Sequence, residues 1–166
     1  LIPRYPQLHW LVVGARYSDK AESREFEDQI RQCFADHGLQ QCLHLPGSCD
    51  EMQRLMQQCQ LLVHGARQEP FGRVLLEAAA SGLPIVATDV GGTAEMLRTG
   101  TDALLVKANT AADLAEAIEC CLLDPAAMHR RACDARERIQ NRFSVAQAAQ
   151  AHANFWLNVV KGQNCD

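Results

Sequence analysis

The sequence predicts an α/β fold, a parallel sheet with helices on both faces, and three observations carry that prediction. Short apolar runs of strand length alternate with stretches of helical spacing as far as residue 106. The first of these runs, HWLVVGA at residues 9–15, is apolar enough for a strand covered on two sides. Capping residues stand where the helices between the strands should start and stop. Strand and helix taking turns at this pace imply parallel pairing with right-handed crossovers.

Taken in order, the strand at 9–15 leads to a helix in which Phe26, Ile30, Cys33 and Phe34 repeat at helical spacing and Gly38 sits at the C-terminal cap position. Residues 41–45 form the second strand, closed by Pro46-Gly47. Ser48 followed by Glu51 has the spacing of a capping box and opens a helix carrying Met52, Leu55, Met56 and Cys59. Strand 61–64, helix 71–81, strand 84–88, a helix from Thr93 and strand 103–106 continue the alternation. Asn109-Thr110 then caps a wholly helical remainder: one helix to Leu123, one from Pro125 to about Asn141, one over 144–160. The last carries Phe155, Trp156, Val159 and Val160 at apolar positions. With no strand after it, this helix either folds back on the sheet or packs on something outside the domain.

At 166 residues the chain reads as one domain over 1–166, with no linker, repeat or low-complexity segment. Its composition, 48% hydrophobic and 22% charged, is that of an ordinary globular protein. A formal net charge of -4 argues against nucleic acid as a partner, because a phosphate backbone is gripped by clustered Lys and Arg. There is no run long enough for a transmembrane segment and no signal peptide. The eight cysteines contain no C-x-x-C pair and read as reduced core thiols of a cytoplasmic protein. The six histidines show no metal-ligand spacing. The chain opens on Leu1 and reaches a strand almost at once, which reads as the middle of a fold and hence as a fragment.

The stretch from Gln68 to Met96 concentrates the chemistry. In open parallel sheets, ligands bind beyond the carboxyl ends of the strands. The loop after strand 61–64 holds Arg67, Gln68, Glu69 and Pro70 and runs into a helix N-terminus, whose free amides and partial positive charge suit a phosphate. Gly72 lacks a Cβ and lets those amides approach an anion. Arg67 and Arg73 are phosphate partners or solvated charges with equal weight. A carboxylate repels phosphate but accepts hydrogen bonds from hydroxyl groups, so Glu69 and Glu77 suit a ligand with phosphate between two sugars. Val90-Gly91-Gly92-Thr93, after the next strand, supplies further amides, and Glu95 is either a third hydroxyl acceptor or a complement to its helix end. The plainer alternatives are an i, i+4 pair of Arg73 with Glu77, loop charge at Glu69, and an ordinary turn at Gly91-Gly92. Against the first, Leu75, Leu76 and Ala78–Ala80 point to a largely buried helix. His64, at a strand end, is read as structural before ligand-binding.

The run E-P-F-G-R-V-L-L-E, then A-A-A-S-G-L-P-I-V-A-T-D-V-G-G-T-A-E, resembles the C-terminal, nucleotide-sugar-binding domain of retaining glycosyltransferases of the GT-B fold, family 4 (glycosyl transferases group 1). That family carries an E-x7-E motif, an EA-x-A-x-G-x-P-V-V-like strand and a G-G-x-x-E loop, and Glu69 to Glu77 has the matching spacing. His44-Leu45-Pro46-Gly47 is similar to the family's F-L-G turn, and Asp124-Pro125 to its D-P.

The resemblance implies a Rossmann-like domain forming one half of a GT-B fold, and a hexose transferred from a nucleoside diphosphate sugar, UDP-sugar favoured, with configuration retained. No cofactor and no metal are implied. Glu69 takes the catalytic position against the donor sugar's hydroxyls. The amides of Phe71, Gly72 and Arg73 take the sugar and diphosphate, with Gly91, Gly92 and Thr93 beside them, and Glu77 takes the ribose hydroxyls. Leu45, Pro46 and Gly47 lie by the nucleobase. An Arg and a Lys that clamp the diphosphate are expected upstream of Leu1. So is an N-terminal acceptor domain, to which the final helix crosses back, and without them the fragment should be inactive. Many members carry Pro-Ser where this chain has His64-Gly65. The rival readings are another GT-B enzyme, an epimerase or phosphorylase, and a non-catalytic sugar-nucleotide-binding domain.

Overall fold

The computed structural model describes residues 1–15, 21–107 and 110–162. By internal contacts the chain divides into two compact units, Leu1–Met52 and Gln53–Asp166. Every strand pairing among the described residues is parallel.

In the first unit β1 (Trp10–Val13) pairs with β2 (Leu43–Gly47), with Trp10 opposite Leu43 and Val13 opposite Gly47. The Gly14 amide extends the ladder to the Gly47 carbonyl at 2.8 Å. Between the strands lies α1 (Ala21–Asp36), which ends as expected: Gly38 takes φ +66° and the Leu39 amide reaches back to the Phe34 carbonyl. Its apolar stripe is less buried than the periodicity implied, since Phe26 and Cys33 are exposed. β2 starts two residues later than predicted because Gln40–Cys42 winds into a 3-10 turn. The capping-box spacing at Ser48 and Glu51 does not start a helix there; α2 (Met52–Met56) begins at Met52, the last residue of the first unit, and continues into the second.

In the second unit β3 (Leu62–His64), β4 (Ile85–Thr88) and β5 (Leu104–Val106) form a sheet in that order. Val86 stands opposite Leu104 on one side and Val63 on the other. All four residues of central β4 are buried, as the I-V-A-T run requires of a strand covered on two faces. The helices are α3 (Arg73–Ala80), the single turn α4 (Thr93–Met96), α5 (Ala111–Leu123), α6 (Pro125–Arg142) and α7 (Val145–Val160). α3 packs on β4 and α6, and the residues that the two helices bury are mostly small: Ala78 and Ala79 with Leu75 on one, Ala132 and Ala135 with Ile139 on the other. Fully burying Leu75 is worth about 2 kcal/mol.

The three long C-terminal helices start where the sequence placed them, each on a side chain that accepts from the third residue on: Thr110 from the Asp113 amide, Asp124 from Ala127 and Ser144 from Gln147. Asn109 lies outside the described residues. No residue of α7 is buried, so this helix does not fold back on the sheet; Phe155, Trp156, Leu157, Val159 and Val160 are all exposed. The core-thiol expectation holds for Cys42 and Cys121, which are buried and free, and not for Cys33, Cys120 and Cys133, which are exposed. Cys165 lies outside the described residues. No described helix is long and apolar enough to cross a membrane.

One buried charge ties α6 to the rest of the unit. Asp102 is fully buried and accepts from Arg98 three times, from its amide (2.8 Å), Nε (2.9 Å) and a terminal nitrogen (2.8 Å). Arg138 of α6 lies 3.5 Å from the same carboxylate and donates to the Met96 and Glu95 carbonyls, satisfying the open end of α4. Burial pushes the Asp102 carboxyl up, but the Arg98 hydrogen bonds and the charges of Arg98 and Arg138 outweigh it and hold the group below its ordinary 3.8. The folded state is then stabilised fully above 3.8, and that contribution drains away as pH falls below it through the folded value. Asp102→Asn should cost roughly 3 kcal/mol in chemical denaturation at pH 7, and the gap from wild type should shrink as pH falls below 3.8. A constant gap across that range contradicts the linkage.

Candidate functional site

β3 ends at His64, and the loop that follows is held at three points before it enters α3. Thr88, the last residue of β4, donates its hydroxyl to the Ala66 carbonyl at 2.6 Å. The Gly92 amide donates to the Glu69 carbonyl at 3.0 Å. The Glu69 carboxylate is engaged at both oxygens: Oε1 accepts from the Phe71 amide at 3.2 Å and Oε2 lies 3.2 Å from His64 Nε2. Both side chains are mostly buried, 16% exposed for His64 and 19% for Glu69. Neither the Thr88 anchor nor the His64 contact was read from the sequence. A hydroxyl closing a buried apolar strand is the signal that could have found Thr88, because such a group must bond a carbonyl. His64 and Glu69 sit five apart across a loop, where no periodicity marks them.

The two glycines of the second loop owe their identity to this approach. Gly91 has φ +52°, and a Cβ there would lie 2.0 Å from the Glu69 carbonyl oxygen; a Cβ on Gly92 would lie 3.0 Å from the Pro70 carbonyl oxygen. Their role in the fold is therefore to let one βα loop lie on the other. Gly92 spends its amide on Glu69 and Thr93 spends its own on Val90. Thr93 is fully buried, its hydroxyl without a partner among the described residues. The Gly91 amide has no acceptor among the described residues.

Gly72 is the N-cap of α3 at φ +81°, the left-handed region, and a Cβ there would meet Met96 at 2.8 Å and Leu75 at 3.0 Å. Leu75 already donates to the Gly72 carbonyl, which leaves the amides of Gly72, Arg73 and Val74 without acceptors among the described residues. The open amides lie one residue further in than the Phe71, Gly72 and Arg73 set expected from the sequence, because the Phe71 amide is taken by Glu69. Phe71 itself is exposed.

Glu77 is not on the buried face of α3. It is 47% exposed and 3.4 Å from Arg73, one turn earlier, so the burial argument drawn from its leucine and alanine neighbours fails: only Leu75, Ala78 and Ala79 form the buried stripe. Its carboxylate is correspondingly open to a ligand. Arg67 is exposed, with no ion-pair partner among the described residues. Leu45, Pro46 and Gly47 lie in the first unit, at the end of β2, where Gly47 has φ +81° and bonds Gly14. Among the described residues no group of three or more His, Cys, Asp or Glu could hold a metal ion.

The arrangement thus joins a helix terminus with open amides to a fixed carboxylate and a solvent-facing one. The pattern of a known sequence family, glycosyl transferases group 1, matches residues 1–140. The chain belongs to that family. Among curated relatives of this group 1 chain, a glycogen synthase of Mycobacterium tuberculosis is 34% identical over 138 residues, 82% of this chain and 32% of the relative. A D-inositol 3-phosphate glycosyltransferase of Streptomyces bingchenggensis is 31% identical over 137 residues, 81% of this chain and 30% of that one. The chain therefore spans about a third of the length of these relatives. Among solved structures, Anabaena HepE, crystallised with UDP and with UDP-glucose, superimposes with a TM-score of 0.85 at 27% identity, over 92% of this chain and 42% of that one.

The close approach of the two loops yields a test. Gly91→Ala forces the loops apart and should destabilise the chain by about 1–3 kcal/mol in thermal or urea unfolding, whereas Gly162→Ala, equally left-handed but with open space around it, should cost less. Equal costs at the two positions would mean that conformational strain alone, and not the loop contact, sets the requirement for glycine.

Proposed function

We propose that this chain is the donor-binding half of a retaining GT-B glycosyltransferase of family 4, which transfers a hexose from a nucleoside diphosphate sugar, UDP-sugar by preference, to an acceptor. The observation that carries the reading is the pairing of Glu69, fixed and mostly buried, with the open amides of Gly72, Arg73 and Val74 beside it. The diphosphate takes those amides, aligned with the positive end of α3, and Arg67 and Arg73 add charge. Glu69 takes the donor sugar's hydroxyls and Glu77 the ribose hydroxyls. Gly91 offers one further amide on the facing loop. Leu45, Pro46 and Gly47 are assigned to the nucleobase on the resemblance.

Under this reading the main catalytic contribution is stabilisation of the departing diphosphate by preset amides, which need no reorganisation as negative charge develops. Glu69 orients the sugar and tolerates positive charge at the anomeric carbon. The reading takes no metal and no cofactor. The acceptor is received by an N-terminal domain, and the exposed apolar face of α7 is what that domain covers. Support comes from the family itself, from the sugar-nucleotide complexes of Anabaena HepE and from the names of the two curated relatives.

Calorimetric titration with UDP, GDP and ADP and their hexose conjugates tests it. One base should bind best, and Glu77→Gln should weaken that nucleotide by about 10- to 100-fold, the loss of a charge-assisted hydrogen bond of about 1.5–3 kcal/mol. Unchanged affinity in the variant sinks the ribose assignment, and no binding of any nucleotide by the full-length protein sinks the donor reading.

A further inference from the structure

His64 is the group at this site that the expected chemistry leaves unused. Its Nε2 lies 3.2 Å from Glu69 Oε2, while its Nδ1 is buried with no partner among the described residues. A proton on Nδ1 would be a buried donor without an acceptor, whereas a bare Nδ1 is only an unfilled lone pair, the cheaper of the two. The arrangement therefore favours the ring proton on Nε2, the nitrogen that faces Glu69 Oε2 at 3.2 Å. The backbone on either side is already held, by Thr88 at Ala66 and by Gly92 at Glu69. What remains free in Glu69 is the rotation of its own side chain. The Phe71 amide restrains one carboxylate oxygen, and His64 restrains the other.

We propose that His64 is a positioning residue for Glu69: its Nε2–H fixes the plane of the carboxylate, so that the lone pairs not used by His64 and Phe71 face the donor sugar's hydroxyls. A carboxylate has about four acceptor sites, so two protein donors still leave two for a ligand. The inference rests on the donor-site reading and deepens it. A pinned carboxylate is ordered before the sugar arrives, so sugar binding does not have to stop its rotation. His64 then acts on the hexose part of the donor and not on the nucleotide part, a division that a merely structural histidine would not produce.

The experiment is titration of the full-length protein and its His64→Ala, His64→Gln and Glu69→Gln variants with UDP and with UDP-glucose, beside a melting curve for each. The expected result is that His64→Ala weakens UDP-glucose about 5- to 10-fold, the scale of one newly mobile side chain, and leaves UDP within about twofold. His64→Gln, whose amide can also donate to Glu69, should recover most of the loss. In a Glu69→Gln background, His64→Ala should have little further effect. The proposal is overturned if His64→Ala weakens both ligands in equal proportion, if it weakens neither, or if its effect adds in full to that of Glu69→Gln. Wild type that binds neither ligand overturns the donor-site reading itself, and the inference with it; wild type that binds both, with a ratio His64→Ala does not move, overturns the inference alone.

Discussion

The second unit is organised around the contact of two loop backbones, where the Gly92 amide meets the Glu69 carbonyl and Gly91 passes too close for any Cβ. That contact can exist because the strands before the loops, β3 and β4, are hydrogen-bonded neighbours running the same way, so their carboxyl ends open on one edge. It persists because both loops are tied from behind. Thr88 holds the first at Ala66, and Arg138 holds the helix that follows the second by its carbonyls. Asp102 anchors Arg98 and Arg138 together.

Glu69 lies close to the end of α3 that attracts anions, and this resolves an apparent conflict in the motif. A carboxylate near a phosphate seat costs repulsion, but a carboxylate near a helix N-terminus gains about 0.3–1 kcal/mol from the dipole, and each hydrogen bond to a charged group about 1.5–3 kcal/mol. The Phe71 amide supplies one such bond, and His64 Nε2 lies 3.2 Å from the other oxygen. Glu69 is thus comfortable without a ligand and still leaves the Gly72, Arg73 and Val74 amides unclaimed. Glu77 follows another logic: at 47% exposure beside Arg73 it costs the fold little and stays open to solvent.

What the sequence by itself determined is what neighbouring residues settle among themselves. The strand and helix alternation, the three side-chain caps at Thr110, Asp124 and Ser144, the left-handed end of α1 at Gly38 and the helix terminus after Glu69 all follow from local periodicity and local hydrogen bonding. The family pattern could be read at that level too, because its spacing is short. Ser48 and Glu51 mark the limit of such reading: a cap spacing permits a helix there, and the chain begins α2 at Met52 instead.

Tertiary structure decided the rest, because burial and partnership depend on what approaches from elsewhere in the chain. Glu77 sits among leucine and alanine, yet its face of α3 looks outward, since α6 and β4 cover only the stripe through Leu75, Ala78 and Ala79. Gly91 and Gly92 resemble any paired glycines until Glu69 and Pro70 are seen against them. α7 could have closed over the sheet by composition and instead leaves Trp156 and its neighbours exposed. His64 and Glu69 are joined only because the loop between them folds back on itself, and an interaction that spans an irregular loop leaves no period in the sequence from which it could be read.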